Sequence, residues 1–181
     1  MVRACRTLCG ILVLLSPLLA PAAPGGEGAA GSVHEIWEAR LLVSDQARPP
    51  AASAPWRRVP LPDRWRDPAR YEQGVIGWYR LELPATLAPA SGERVAVYLW
   101  RYNMALELWF NGELVAATGR FEEPVTRNWN RPLLVDLPPS GWRAEGNVLD
   151  VRLRAYPHYG ALAPVFVGPP EVLEPAYRLR S

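Results

Sequence analysis

The stretch of the chain that most constrains its fold is 105–117, ALELWFNGELVAA. Large apolar side chains at positions 106, 108 and 110 alternate with the residues between them, and successive side chains of an extended strand point to opposite faces. The central pair, Asn111-Gly112, readily takes the two positive φ values of a tight type I′ turn. The stretch therefore predicts a β-hairpin that turns at Asn111-Gly112.

Similar strand patterns lie on both sides of this hairpin. The runs 77–83 (GWYRLEL) and 146–153 (GNVLDVRL) each start at a glycine and continue with a period of two. We predict strands at 34–43, 56–59, 77–83, 93–100, 105–111, 113–118, 132–137, 147–155, 163–167 and 171–174. The 20 prolines lie mainly between these runs and argue against long helices. The sequence therefore predicts an all-β sandwich.

The order of the motifs resembles a known family. A tryptophan-rich start with Trp56 and Trp65 precedes the 77–80 motif (GWYR), a strand at 95–99, the hairpin and the 146–152 motif. This order resembles the galactose-binding-like jelly roll that forms the sugar-binding domain of family 2 glycoside hydrolases. It is more similar to the extracytoplasmic N-terminal domain of bacterial membrane sensors, where such a jelly roll precedes transmembrane helices and a histidine kinase or diguanylate cyclase.

The segments 127–133 (RNWNRPL) and 162–169 (LAPVFVGP) favour the sensor version. The resemblance covers about residues 33–180 and implies a galactose-binding-like jelly-roll β-sandwich. It implies a non-catalytic domain, because the acid and nucleophile of family 2 glycosidases lie in a barrel that the resemblance does not reach. A fold by itself does not fix the ligand.

The first residues have the features of a targeting segment. Arg3 and Arg6 are followed by an apolar run at 8–20 and by the small-residue site at 20–22, APA. The apolar run is shorter than the ~20 residues that span a bilayer, which favours a cleaved signal peptide at 1–22 over a retained anchor. We therefore expect a periplasmic or otherwise extracytoplasmic protein, with membrane association only through an output module.

The composition after the signal peptide limits the classes of function. A flexible linker is expected at 23–32, before a β-sandwich domain at 33–181. Both cysteines, Cys5 and Cys9, lie in the targeting segment, which excludes disulfides and a thiol nucleophile from the domain. All 20 basic residues are arginine, and removal of Arg3 and Arg6 leaves 18 against 18 acids. A near-neutral chain without a basic run is a poor partner for nucleic acid.

The sequence offers little for a metal or catalytic site. It has only two histidines, His34 and His158, whereas metal sites usually combine several imidazole, thiolate or carboxylate ligands. A glycosidase needs two carboxylates at a fixed separation, and spacing alone leaves the pairs Glu122-Glu123 and Glu107 with Glu113 open. Solvated surface acids are the better account of these residues. We expect no cofactor and no enzyme activity in this chain.

The segment 127–131, RNWNR, is the first candidate for ligand binding. The guanidinium groups of Arg127 and Arg131 can pair with a carboxylate, Asn130 can form hydrogen bonds, and the Trp129 indole can stack on a sugar face. The alternative is that Trp129 covers the core and Arg131 ties the loop to a carboxylate of the protein itself. Both interpretations stay open at the level of sequence.

Two further segments are candidates for the same edge of the sandwich. Arg101 and Asn103 lie at the end of a predicted strand, and the segment 156–160, YPHYG, carries Tyr156 and His158. Binding residues are often found on loops that a rigid scaffold positions. His158 alone is typical of an exposed loop histidine.

These observations favour a sensory domain that binds a carbohydrate or another small polar molecule, joined to a membrane output module. A second hypothesis is an accessory sugar-binding domain of a family 2-like glycosidase. A third is a protein-interaction sandwich, which would expose a contiguous apolar patch.

Overall fold

A computed structural model describes residues 31–66, 75–129 and 131–181. Within these ranges the chain forms twelve strands and one α-helix. The strands are β1 (His34–Ile36), β2 (Glu38–Val43), β3 (Arg57–Pro60), β4 (Asp63–Arg64), β5 (Ile76–Leu83), β6 (Val95–Leu99), β7 (Ala105–Phe110), β8 (Glu113–Thr118), β9 (Leu133–Leu137), β10 (Asn147–Arg154), β11 (Ala161–Leu162) and β12 (Val165–Gly168). The helix, α1, is Pro170–Arg178.

The strands form two antiparallel sheets that pack face to face. One has the order β1-β12-β6-β9 and the other β3-β2-β5-β10-β7-β8, while β4 and β11 pair separately. Alternate residues of both sheets point into one apolar core, such as Tyr79 and Leu81 from β5 and Val97 and Leu99 from β6. This alternation is why period-two runs in the sequence become the strands of a two-layer sandwich.

The structure confirms the hairpin. Strands β7 and β8 are joined at Asn111 and Gly112, whose φ angles are 50° and 92°. Phe110 and Glu113 face each other across the turn. Two positive φ values in a two-residue loop are those of a type I′ turn, which matches the right-handed twist of the flanking strands.

One predicted strand is interrupted. The run 34–43 forms two strands that belong to different sheets, because the chain passes from one sheet to the other at Trp37. The backbone N–H of Leu61 donates to the Trp37 carbonyl at 2.8 Å. The period of two is broken at this corner, because Ile36 and Ala39 are buried whereas Trp37 and Glu38 between them are exposed.

The predicted strand at 171–174 is wrong, because these residues lie in α1. Pro170 suits the first turn of a helix, where its missing N–H is not needed, and Glu171 complements the helix dipole there. Leu173 is buried against Ala96 and Tyr98 on the outer face of the four-stranded sheet. Packing of this one apolar side therefore outweighs the local strand preference of Val172-Leu173.

Three connections between the two sheets meet at one end of the sandwich. Residues 100–104 join β6 to β7, the 119–129 segment leaves β8 towards β9, and residues 155–164 join β10 to β12. We call this region, residues 100–104, 119–129 and 155–164, the crossover end. Across the described ranges, we find no helix with the length and apolarity needed to span a membrane.

Candidate functional site

The three candidate ligand-binding segments lie side by side at the crossover end. Tyr102 forms an antiparallel β-bridge with Leu162, and Asn103 forms one with Trp129. Further backbone hydrogen bonds of 2.9 to 3.1 Å join the same segments. The segment 101–104 thus lies between the other two, and the fold brings together residues that are distant in the sequence.

An exposed aromatic pair stands on this surface. The rings of Trp129 and Tyr159 meet edge to face, with centroids 5.4 Å apart and an interplanar angle of 85°. Solvent reaches 46% of Trp129 and 51% of Tyr159. Trp129 is thus half-exposed and does not belong to either core cluster of the described residues. The two rings provide apolar surface on which the C–H face of a sugar or another flat ligand can pack.

The side chain of Asn103 forms a hydrogen bond with the backbone of Tyr159, one member of this aromatic pair. Its Nδ2 donates to the carbonyl oxygen of Tyr159 at 2.9 Å, and only 6% of the residue is exposed. Its Oδ1 is buried and has no hydrogen-bond partner among the described residues. A buried acceptor without a partner costs about 1–3 kcal/mol, and a hydroxyl group or water at this position would recover that energy.

The candidate arginines occupy different environments. Arg101 is half-buried, and its Nε has no partner in the described part of the chain. Arg127 and Arg131 are exposed, and neither forms an ion pair with a described residue. The predicted tie between Arg131 and a protein carboxylate is thus not found within these ranges. Asn130, the other candidate in this segment, lies outside the described residues.

Tyr156 and His158, the candidates from the 156–160 segment, lie in different environments. The Tyr156 hydroxyl donates to Glu123 at 2.5 Å, and Arg154 donates to the same carboxylate at 3.0 Å. The hydrogen bond from Tyr156 lowers the pKa of Glu123 and raises the pKa of Tyr156 itself. Tyr156 therefore cross-links two connections of the crossover end. His158 is exposed, with a φ of 67°.

A buried network supports the connection that carries Tyr159. Trp65 Nε1 donates to the Tyr79 hydroxyl at 2.6 Å, which in turn donates to Asp63 at 2.7 Å. Gly160 lies directly against the Trp65 ring, so that a Cβ at this position would come within 2.3 Å of it. Such a close approach is possible only for glycine, and the contact with the Trp65 ring fixes the position of the backbone next to Tyr159.

A cavity of about 640 Å³ opens at the same end, between the segment after β8 and the end of α1. Its polar lining includes Tyr102, Thr118, Thr126, Asn128, Arg131 and Arg180. Burial raises the pKa of Tyr102, although Thr118 and the charge of Arg131 act in the opposite direction.

Sequence reasoning missed several of these residues. Tyr159 and Tyr102 lie within motifs that it singled out, but neither was chosen as a site residue. Thr118 is the last residue of β8, and Arg180 lies two residues after the end of α1. No local pattern links residues on such distant elements, because only the packing of α1 places them together.

The described ranges contain no group of three or more His, Cys, Asp or Glu side chains placed to hold a metal ion. The side chains gathered at the crossover end are aromatic rings, amides, hydroxyls and guanidiniums. Such a set can bind a ligand through stacking and hydrogen bonds.

Comparison with known proteins gives a match at the level of structure. Neither a protein-family model nor a curated protein sequence matches the chain. A glycosyl hydrolase family 2 member from Bacteroides cellulosilyticus has a TM-score of 0.55 and 20% identity, over 75% of this chain and 20% of its own. A β-glucuronidase from Faecalibacterium prausnitzii has a TM-score of 0.52 and 13% identity, over 76% and 31%.

A β-glucuronidase from Bacteroides uniformis gives a similar result, with a TM-score of 0.55 and 14% identity over 75% of this chain and 18% of its own. The chain thus spans between about a fifth and a third of these three proteins. At these identities the similarity shows the fold. The predicted all-β sandwich is confirmed, and it resembles an architecture found within family 2 glycoside hydrolases.

Proposed function

We propose that this protein is a non-catalytic binding domain that takes a carbohydrate or another small polar molecule at the crossover end. The observation that carries the proposal is the half-exposed Trp129–Tyr159 pair. Beside it lies Asn103, with a buried acceptor that the described residues leave without a partner. Apolar rings next to a few fixed polar groups are the usual make-up of a small-molecule site.

The fold supports carbohydrate as the ligand class. The similar solved structures are glycoside hydrolases, and the chain corresponds to only a fifth to a third of their length. Their hydrolytic activity belongs to the whole proteins, which have parts without counterpart here. A binding role is therefore the function we assign to this sandwich.

The first test is calorimetric titration of the purified protein with a panel of neutral and acidic glycans. Trp129→Ala and Tyr159→Ala should each weaken glycan binding about tenfold or more, because each removes stacking surface. Trp37→Ala is the matched control, since Trp37 is also exposed, at 54%, but joins β1 to β2 outside the crossover end.

Thermal melts of the three variants should stay close to wild type, because the truncated side chains are about half exposed. Wild-type affinity in both crossover-end variants would contradict the proposal. Equal loss of binding in Trp37→Ala would contradict the proposal as well, because the loss would then not be specific to the crossover end.

We further propose that the domain senses its ligand outside the cytoplasm for a membrane signal-transduction protein such as a histidine kinase. The motifs at 127–133 and 162–169 support this context. The coding sequence after residue 181 provides the test. Transmembrane helices followed by a kinase or cyclase would support it, and a glycosidase barrel would favour the alternative of an accessory sugar-binding domain, to which the structural neighbours point.

Export is part of the same proposal. Arg3, Arg6 and the apolar run at 8–20 support a signal peptide. Expression in a Gram-negative host, followed by fractionation and N-terminal sequencing, should give a periplasmic protein that begins near residue 23. An unprocessed protein in the cytoplasmic fraction would contradict it.

A further inference from the structure

We propose that the cavity between the segment after β8 and the end of α1 is an anion site that receives the carboxylate of an acidic sugar. This proposal rests on the proposed function, because it adds an acidic group to the class of ligand. The recognised chemistry is an oxyanion, and we commit to a sugar carboxylate rather than a free inorganic anion. We refer to this region as the anion cavity.

The size of the anion cavity fits a sugar. Its volume of about 640 Å³ lies within the roughly 300–1,000 Å³ of typical small-molecule sites. It adjoins the segment that carries Trp129, since Asn128 and Arg131 both line it. The anion cavity and the aromatic pair are thus built on the same stretch of chain.

The charges around the anion cavity are unbalanced. Arg131 and Arg180 line it, and none of its described lining residues has an acidic side chain. Seven other arginines form ion pairs with carboxylates of the described chain, whereas these two form none. Two guanidiniums beside one concave surface, without an acidic side chain among its described lining residues, favour an anion from outside.

Arg180 is also positioned by its surroundings. Its Cζ lies 4.8 Å from the centre of the Trp100 ring, which holds the guanidinium by a cation–π contact but leaves its charge uncompensated. A guanidinium presents several N–H donors in one plane and can bind both oxygens of a carboxylate. A positioned guanidinium loses less conformational freedom when it binds.

The wall of the anion cavity is held by internal hydrogen bonds. Asn128 Nδ2 donates to the Thr118 carbonyl at 2.7 Å, and Thr126 Oγ1 accepts from the Arg120 N–H at 2.9 Å. Gly119 has a φ of 102°, and a Cβ on it would lie 2.4 Å from Thr126. The wall therefore keeps one shape, and the hydroxyls along it suit a hydroxylated ligand.

The experiment measures binding of sodium glucuronate, glucose and sodium sulfate to the full chain by titration calorimetry at constant ionic strength. Glucuronate should bind about tenfold or more tightly than glucose. Arg131→Gln and Arg180→Gln should each remove about tenfold of the glucuronate affinity, because each deletes a charge-assisted contact. Arg57→Gln is the control, since it removes the same charge from an exposed position in β3, and it should leave the affinity unchanged.

Several results would overturn this inference. Equal affinities for glucuronate and glucose would show that the carboxylate is not recognised. An equal loss of glucuronate affinity in Arg57→Gln would show that the loss in the other two variants arises from the change in net charge alone. Sulfate that binds as tightly as glucuronate would assign the cavity to free anions. If Arg180→Gln disturbs the end of the helix and lowers the melting temperature, Arg131→Gln decides the test, because Arg131 is exposed.

The inference and the proposed function fail in different ways. Loss of neutral-glycan binding in Trp129→Ala, with an unchanged glucuronate preference in both arginine variants, would overturn the anion cavity and leave the aromatic site standing. Arginine-dependent glucuronate binding without any contribution from Trp129 or Tyr159 would keep the anion cavity and overturn the aromatic site.

Discussion

Asn111 has a structural role in addition to its turn conformation. Its Oδ1 accepts the Val148 N–H at 2.8 Å, and its Nδ2 donates to the Gly141 carbonyl at 2.8 Å. These bonds attach the hairpin tip to the start of β10 and to the short 3₁₀ turn at Pro139–Gly141. A side chain with both a donor and an acceptor is required at this position.

Gly112→Val should destabilise the protein by about 1–3 kcal/mol. A Cβ at Gly112 has no atom within 4 Å, so the cost arises from the φ of 92° alone, which a β-branched residue resists. Glu113→Val in the adjacent exposed strand position is the control, with an expected change within about 0.5 kcal/mol. Urea unfolding measures both, and equal stability of the two variants would contradict the strain argument.

Tyr156→Phe should raise the pKa of Glu123 towards its usual value, because the hydrogen bond from Tyr156 is the main cause of the lowered pKa. In the wild type, the lowered folded-state pKa stabilises the protein at neutral pH, and this contribution is lost as the pH falls through that pKa. Tyr156→Phe should therefore weaken the dependence of the free energy of unfolding on pH in the acidic range. An NMR titration of the Glu123 carboxyl measures the shift, with Tyr159→Phe as the control, and an unchanged titration in Tyr156→Phe would contradict this assignment.

At the scale of elements, contacts on the outer faces of the sheets explain why some strands are buried on both sides. On the outer face of β5, the Trp78 indole donates to the Gln46 carbonyl at 3.3 Å, and Arg80 donates to the Pro50 carbonyl at 2.8 Å. Arg80 also pairs with Asp150 of β10 at 2.7 Å. The loop after β2 thus covers a face that would be solvated in a simple two-layer sandwich.

Helix α1 covers the outer face of the four-stranded sheet. Leu173→Ala should destabilise the protein by about 2–5 kcal/mol, because Leu173 is only 3% exposed and packs on Ala96 and Tyr98. Val172→Ala is the control in the same helix, since Val172 is 44% exposed, and its effect should be below about 0.5 kcal/mol. Thermal and urea unfolding test both, and a similar loss in the two variants would show that the helix does not dock through Leu173.

At the scale of the whole molecule, one apolar core joins the two sheets, and the helix and the loop after β2 add covered faces to it. The connections at the crossover end contribute buried residues such as Met104, Val125 and Leu162 to this core, and they also carry the aromatic pair and line the anion cavity. A rigid scaffold that holds polar and aromatic side chains on its connections is a common arrangement for binding proteins.

Far-ultraviolet circular dichroism of the purified chain should show a spectrum dominated by β-structure, because within the described ranges helix is confined to nine residues of α1 and two short 3₁₀ turns. Since one core spans both sheets, thermal unfolding should be a single cooperative transition. A spectrum dominated by helix would contradict the architecture, and separate transitions for far- and near-ultraviolet signals would contradict the shared core.

The sequence by itself determined the features that depend on neighbouring residues. The hairpin at Asn111-Gly112 and the strands at 77–83 and 147–155 follow from turn chemistry and side-chain alternation, which act over a few residues. The same is true of the three candidate binding segments, whose residue types are visible in short runs.

Only the tertiary structure decided how these parts meet. The chain changes from one sheet to the other at Trp37, and the helix at 170–178 forms because Leu173 finds a buried site on the sheet. The contact of Trp129 with Tyr159 joins residues 30 positions apart, and one cavity is lined by both Arg131 and Arg180, which are 49 positions apart. Such contacts depend on the path of the whole chain, and no local pattern encodes them.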